Sequence, residues 1–313
     1  MVKQKPTGKH RLLVRLAITA TLLLLAVWVL ARHWQIVSNS LHIAQTAHGG
    51  WLIGSVGLMI ATFCIAAAIY GVLALHHLRY GQTVLIEYAA AFVNRLLPSG
   101  LGGLGLHGVY LYRRKHTIAE STAVVSVNNL IGITAHLVLL VLVGILRPTV
   151  LHQFILGTHL PDKRQAAVMI LLGGITVVAL WSLRHRIARF GGNLLRSLQA
   201  LRIQKVFIAL LLAMVLTSTY TFILYSVTRS LDMSITPLQA FIIFSTGMLT
   251  STATPTPGGL VGAEAGLFAG FLIYGVSDAS AGAAVLLYRL ITYWIPLLPG
   301  VAALLVARRK RLL

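Results

Sequence analysis

The chain has 313 residues, 57% of them hydrophobic and 10% charged, with a mean hydropathy of +0.84, a balance outside the range of soluble domains. Its 26 Lys+Arg against 6 Asp+Glu give a formal charge of +20. Beside so much apolar sequence this reads as basic loops of a polytopic membrane protein, not as a nucleic-acid surface. One cysteine, Cys64, in an apolar run excludes an intrachain disulfide and a cysteine-based zinc site.

A basic head (Lys3, Lys5, Lys9, Arg11, Arg15) precedes an apolar run over 12–31. That run is as long as a bilayer-spanning helix and reads as a retained first span; a cleaved signal peptide is the alternative. A second span covers 51–75, entered through Gly49-Gly50 and left at His76-His77. Residues 84–112 break the pattern with Glu87, Asn94, Arg95, Pro98, Gly100, Gly102, Gly103 and Gly105. Arms over 84–97 and 101–112 are too short to cross about 30 Å of hydrocarbon at about 1.5 Å per residue. They read as a re-entrant hairpin, with two tilted spans as the alternative.

A third span over 118–146 carries Glu120 in its first turn, where a carboxylate suits the helix dipole, and Asn128, Asn129 and His136 inside it. A loop over 147–165, a fourth span over 166–183, a basic connector over 184–205 and a fifth span over 206–228 follow. Residues 238–254 and 260–274 form a second broken pair around Pro255, Pro257, Gly258 and Gly259, with Glu264 soon after. The last span, 279–306, contains Arg289 and ends in a basic tail, Arg308 to Arg311. The outside segments hold only Arg32, Arg147, Lys163, Arg164 and Arg229, and Arg95 and Arg289 fall within the membrane. All other bases lie on inside segments, which places both termini in the cytoplasm.

The expectation is therefore an all-α polytopic membrane protein of about six full transmembrane helices and two Gly/Pro-broken hairpins. Residues 1–313 form one domain with half-repeats near 84–146 and 238–306, since Pro98 to Gly103 answers Pro255 to Gly259. An odd number of spans lies between the hairpins, so they enter from opposite faces. Interrupted segments at corresponding positions of inverted halves point to a transporter's midplane site.

The residues expected at that site are Arg95, Pro98, Gly100, Gly102, Gly103, Pro257, Gly258, Gly259, Glu264, Tyr288 and Arg289. Helix N-termini after the glycines offer free N–H groups to an anion. The two guanidinium forks match phosphate oxygens, which points to a phospholipid or lipid-linked phosphate headgroup. Each residue has a structural alternative: Arg289 paired with Glu264, Arg95 reaching the interface, Glu264 a buried pair partner or a protonatable coupling residue. Glu87 reads as an interfacial carboxylate, Asn128 and Asn129 as interhelical hydrogen-bond groups, and His107 and His136 as packed polar residues. Tyr288, Tyr293 and Trp294 read as an aromatic belt, with a cradle for a quaternary amine as the alternative.

The combination of Pro257-Gly258-Gly259, Glu264, Tyr288-Arg289 and Tyr293-Trp294-Ile295-Pro296 resembles the flippase-like membrane domain of the lysylphosphatidylglycerol synthases and its stand-alone relatives. The resemblance spans essentially the whole chain and is strongest over 88–146 and 245–305. It implies movement of charged, in particular anionic, phospholipids between leaflets of a bacterial or archaeal cytoplasmic membrane. With no catalytic domain after the last span, aminoacyl transfer is not expected, so the chain reads as no enzyme. No cofactor or metal is expected, and the absence of a phosphate-binding loop argues against direct ATP coupling. A homo-oligomer or an envelope-biosynthesis partner is allowed. The competing functions are a non-transporting subunit of a cell-envelope lipid or glycan assembly and a membrane-embedded lipid-modifying enzyme.

Overall fold

The computed structural model describes residues 34–96, 101–149, 203–254 and 259–313. The described residues are helical and contain no strand. In chain order the helices are α1 (Trp34–Gln45), α2 (Gly49–Leu73), α3 (Tyr80–Leu96), α4 (Leu101–Arg113), α5 (Ile118–Leu146) and α6 (Ile203–Ser230). They continue with α7 (Pro237–Ala253), α8 (Gly262–Ile273), α9 (Asp278–Arg289), a π-helical turn (Leu290–Trp294) and α10 (Leu297–Arg309). Among the described residues four stretches are long and apolar enough to cross a membrane: α2, α5, α6 and the continuous run Asp278–Arg309. The expected spans at 12–31 and 166–183, and the connector between 184 and 202, lie outside the described residues.

The frame is the antiparallel pair α2 and α6, which pack along their length. Buried Ala67, Ala209 and Ala213 let the helices approach closely. Hydrogen bonds tie both ends. The Lys205 Nζ donates to the Ala74 carbonyl at 2.9 Å, and the His48 N–H donates to the Ser230 carbonyl at 2.8 Å. Around this pair the apolar side chains form two cores. One gathers Leu73, Leu78, Ile86, Leu111, Val127 and Leu312; the other gathers Met59, Ile223, Met233, Ile243, Phe271 and Tyr288. The first core holds α3, α4 and α10, and the second holds α7, α8 and α9.

Both broken regions are helical hairpins. The α3–α4 hairpin opens at the Ala74 end of the frame, where the His116 ring after α4 accepts the N–H groups of Leu75 and His76 at 3.1 and 3.3 Å. The α7–α8 hairpin opens at the opposite end, beyond Ser230. At about 1.5 Å per residue, α3 and α7 are each about 26 Å long and α4 and α8 about 20 Å or less.

Glycine explains how each hairpin closes. A Cβ on Gly102 would stand 2.6 Å from the Val93 carbonyl oxygen, and one on Gly266 would stand 2.6 Å from that of Thr246. In α8, Gly262, Gly266 and Gly270 recur every fourth residue and face Thr254, Thr250 and Thr246 of α7. The Thr246 hydroxyl lies 3.0 Å from the Gly266 carbonyl across that seam. Caps fix the helix starts. Thr117 and Glu120 form a capping box on α5, as Thr236 and Gln239 do on α7.

Two elements depart from the sequence expectation. Helix α1 occupies a stretch read only as a connection. It packs on α9, where Ser40 fills the place a side chain at Gly282 would take. The last span is not uniformly α-helical, because the turn Leu290–Trp294 bonds Ile295 N–H to the Leu290 carbonyl, five residues back.

Candidate functional site

A cavity of about 690 Å3 opens between the two cores. Ala91, Asn94 and Arg95 of α3 line it on one side, and Gly247, Met248 and Ser251 of α7 on another. Tyr288, Arg289, Thr292 and Tyr293 of the last span complete its polar wall. Met59 and Phe63 of α2 and Leu216 and Tyr220 of α6 supply apolar and aromatic surface.

Arg95, from the first hairpin, and Arg289, from the last span, meet on one aromatic ring. Their guanidinium carbons lie 4.9 and 4.6 Å from the centroid of Tyr293, within cation–π range. Arg95 donates through Nη1 to the Ala91 carbonyl and through Nη2 to the Thr292 carbonyl at 2.7 Å. Among the described residues it makes no ion pair, and its buried Nε has no hydrogen-bond partner. Arg289 donates from Nε to Glu264 Oε1 at 2.6 Å. That pair is one-armed: Arg289 Nη2 and Glu264 Oε2 are buried without partners, whereas an arginine and a carboxylate often match both arms of the fork.

The glycines at the hairpin tips divide. The Gly103 N–H donates to the Asn94 side-chain oxygen, so this donor is occupied and the glycine serves close packing. Gly259 has a φ of 67°, and a side chain there would strike Ser251. Val261, just before α8, has a φ of 72°, a region β-branched residues rarely adopt. Pro98, Gly100, Pro257 and Gly258 lie outside the described residues.

Of the residues expected from sequence, Arg95, Tyr288 and Arg289 line one cavity and Glu264 touches Arg289. Tyr293 is 6% exposed and both guanidiniums approach its ring, while Trp294 is 54% exposed. Asn128 and Asn129 line the cavity as well. Asn129 also donates to the Val125 carbonyl on its own helix at 3.1 Å. Glu87 is largely enclosed against His107, with Oε1 3.0 Å from Nε2. His107 is packed, as expected, and stacks on Tyr70 with ring centroids 4.2 Å apart. No cluster with metal-ligating geometry occurs among the described residues.

A family model described as lysylphosphatidylglycerol synthase TM region matches residues 12–300. No curated protein matches the chain.

Proposed function

The chain belongs to the family of the lysylphosphatidylglycerol synthase transmembrane region, and from that premise we propose that this integral membrane protein binds phospholipid or lipid-linked phosphate headgroups in its central cavity and moves them between leaflets. The observation that carries the reading is the pair of arginines on Tyr293. Two guanidiniums in apolar surroundings are costly unless something offsets them, and one carboxylate, Glu264, stands against both. The wall therefore carries one net positive charge, which suits one phosphodiester. Arg95 Nε and Arg289 Nη2 are enclosed and unpartnered, which leaves donor capacity for its oxygens once a headgroup displaces the side chains around them. About 690 Å3 is ample for a headgroup. The family model describes a membrane region, which is compatible with a carrier. Both hairpins supply wall residues, and in this reading they are re-entrant, enter from opposite faces and belong to inverted halves.

Headgroup-labelled phospholipids in proteoliposomes test it. Exchange between leaflets well above that of empty liposomes, reduced at least tenfold in Arg289→Ala and Glu264→Gln, is expected. Folded protein that exchanges no lipid overturns the transport reading in favour of a non-transporting assembly subunit. Exchange that survives both substitutions removes the site.

A further inference from the structure

The α3–α4 hairpin holds a second polar pair that the headgroup site does not use. Glu87 and His107 have side chains 11% and 7% exposed. His107 Nδ1 lies 2.8 Å from the Gly103 carbonyl oxygen, which only accepts, so Nδ1 carries a proton. Nε2 then faces Glu87 Oε1 at 3.0 Å. Two lone pairs do not approach so closely, so a second proton lies between them, on nitrogen or on oxygen. In this conformation the pair is proton-loaded and neutral. Release of that proton to water leaves a neutral imidazole, a carboxylate and a broken hydrogen bond inside the hairpin.

We propose that Glu87 and His107 form a proton-binding site that couples proton movement to headgroup movement; the inference rests on the transport reading above. The coupling path is short. Glu87, Ala91 and Arg95 recur every fourth residue of α3 and share one face, and the Ala91 carbonyl holds Arg95. Tyr70, stacked on His107, lies beside Asn128 of the cavity wall. A change of one charge at Glu87 thus acts on both the guanidinium and the wall.

Few other titratable groups face the pair among the described residues. They are Tyr70 from α2, Tyr110 on α4, whose hydroxyl lies 3.0 Å from that of Thr83, Tyr220 from α6, and Arg95 two turns along. Helix α10 packs on α3 through Gly300, against Tyr88 and Phe92, and its arginines lie in its last turn. With the phenols protonated at neutral pH, the Glu87–His107 unit is the group there that exchanges a proton.

The experiment measures the steady-state leaflet distribution of a labelled anionic phospholipid in proteoliposomes, with and without a pH difference of one unit and the membrane potential clamped. For one proton per cycle, the pH difference shifts the leaflet ratio by up to about tenfold. The shift is absent in Glu87→Gln, which keeps a hydrogen-bond donor toward His107 but binds no exchangeable proton, and in His107→Gln. A wild-type ratio that ignores the pH difference overturns the inference and leaves transport standing. A shift that persists in either folded variant overturns it too, and reduces the pair to a packing contact. Absence of exchange under every condition overturns the transport reading, and this one with it.

Discussion

Pro296 has no N–H to close on the carbonyl of Thr292 four residues back, and Arg95 takes that carbonyl instead. One imino acid on the last span thereby anchors an arginine from the first hairpin. Pro296→Ala restores a competing donor; we expect weaker headgroup binding with little loss of thermal stability, read by comparing exchange rate with melting temperature. Tyr293 serves through its ring. Tyr293→Phe keeps the ring that both guanidiniums approach and should retain most exchange, whereas Tyr293→Leu should lose it, and exchange rates of the two variants in parallel decide the matter. The Glu264–Arg289 contact was legible in the sequence because charges at membrane depth seek each other. The Glu87–His107 contact was not. It depends on the register of α4 against α3, and no pattern of residue types reveals which histidine faces which acid across a helical hairpin.

Small residues zip the α7–α8 hairpin, and their spacing makes the prediction. Gly266→Leu drives its side chain into the Thr246 carbonyl and Thr250, at about 1–3 kcal/mol for overpacking, whereas Gly105→Ala meets nothing within 4 Å and should be silent; thermal melts of the two variants distinguish these outcomes. A second prediction belongs to the turn between α4 and α5. There burial, then the neighbouring His76, holds the His116 pKa below its ordinary value, while Nε2 accepts two N–H groups and the ring donates to the Leu111 carbonyl at 3.1 Å. Because the folded pKa is depressed, the contribution is complete above the unfolded value of about 6.5 and is lost as pH falls through the folded one. The melting temperature should therefore drop on the acid side of about 6.5, and His116→Gln should flatten that limb. Hydropathy gave the long helices and the Gly/Pro clusters gave the hairpins, with the 118–146 span matching α5 end to end. Helix α1 was hidden because its polar residues look like a loop until α9 is there to pack against.

The two apolar cores meet at the cavity rather than merging, and Tyr88 packs against both. Each core carries one hairpin, and α2, α6 and the last span run through both. On the proposed transport reading, displacement of one core against the other is the motion that would expose the cavity to each side in turn. In the topology read from the basic residues, cysteines placed at His77 and Lys310 should react with impermeant reagent only from inside. Those at Ala47 and Asp232 should react only from outside, in a Cys64→Ser background; labelling of sealed vesicles checks this. The composition made the membrane assignment legible, but no local signal in the sequence shows that the apolar residues divide between two cores. The π turn has a further consequence, for how this chain can vary. Leu290–Trp294 accommodates one residue more per turn than an α-helix, and in an α-helix each residue adds about 100° of rotation. Deleting a single codon there would tighten the wide turn into an ordinary α-helical one and leave α10 close to its present facing against α9. Gly300 would still meet Phe92 and Arg289 still face Glu264, so related chains can lack one residue in this segment, whereas a deletion within α9 or α10 would turn those contacts apart by about 100°.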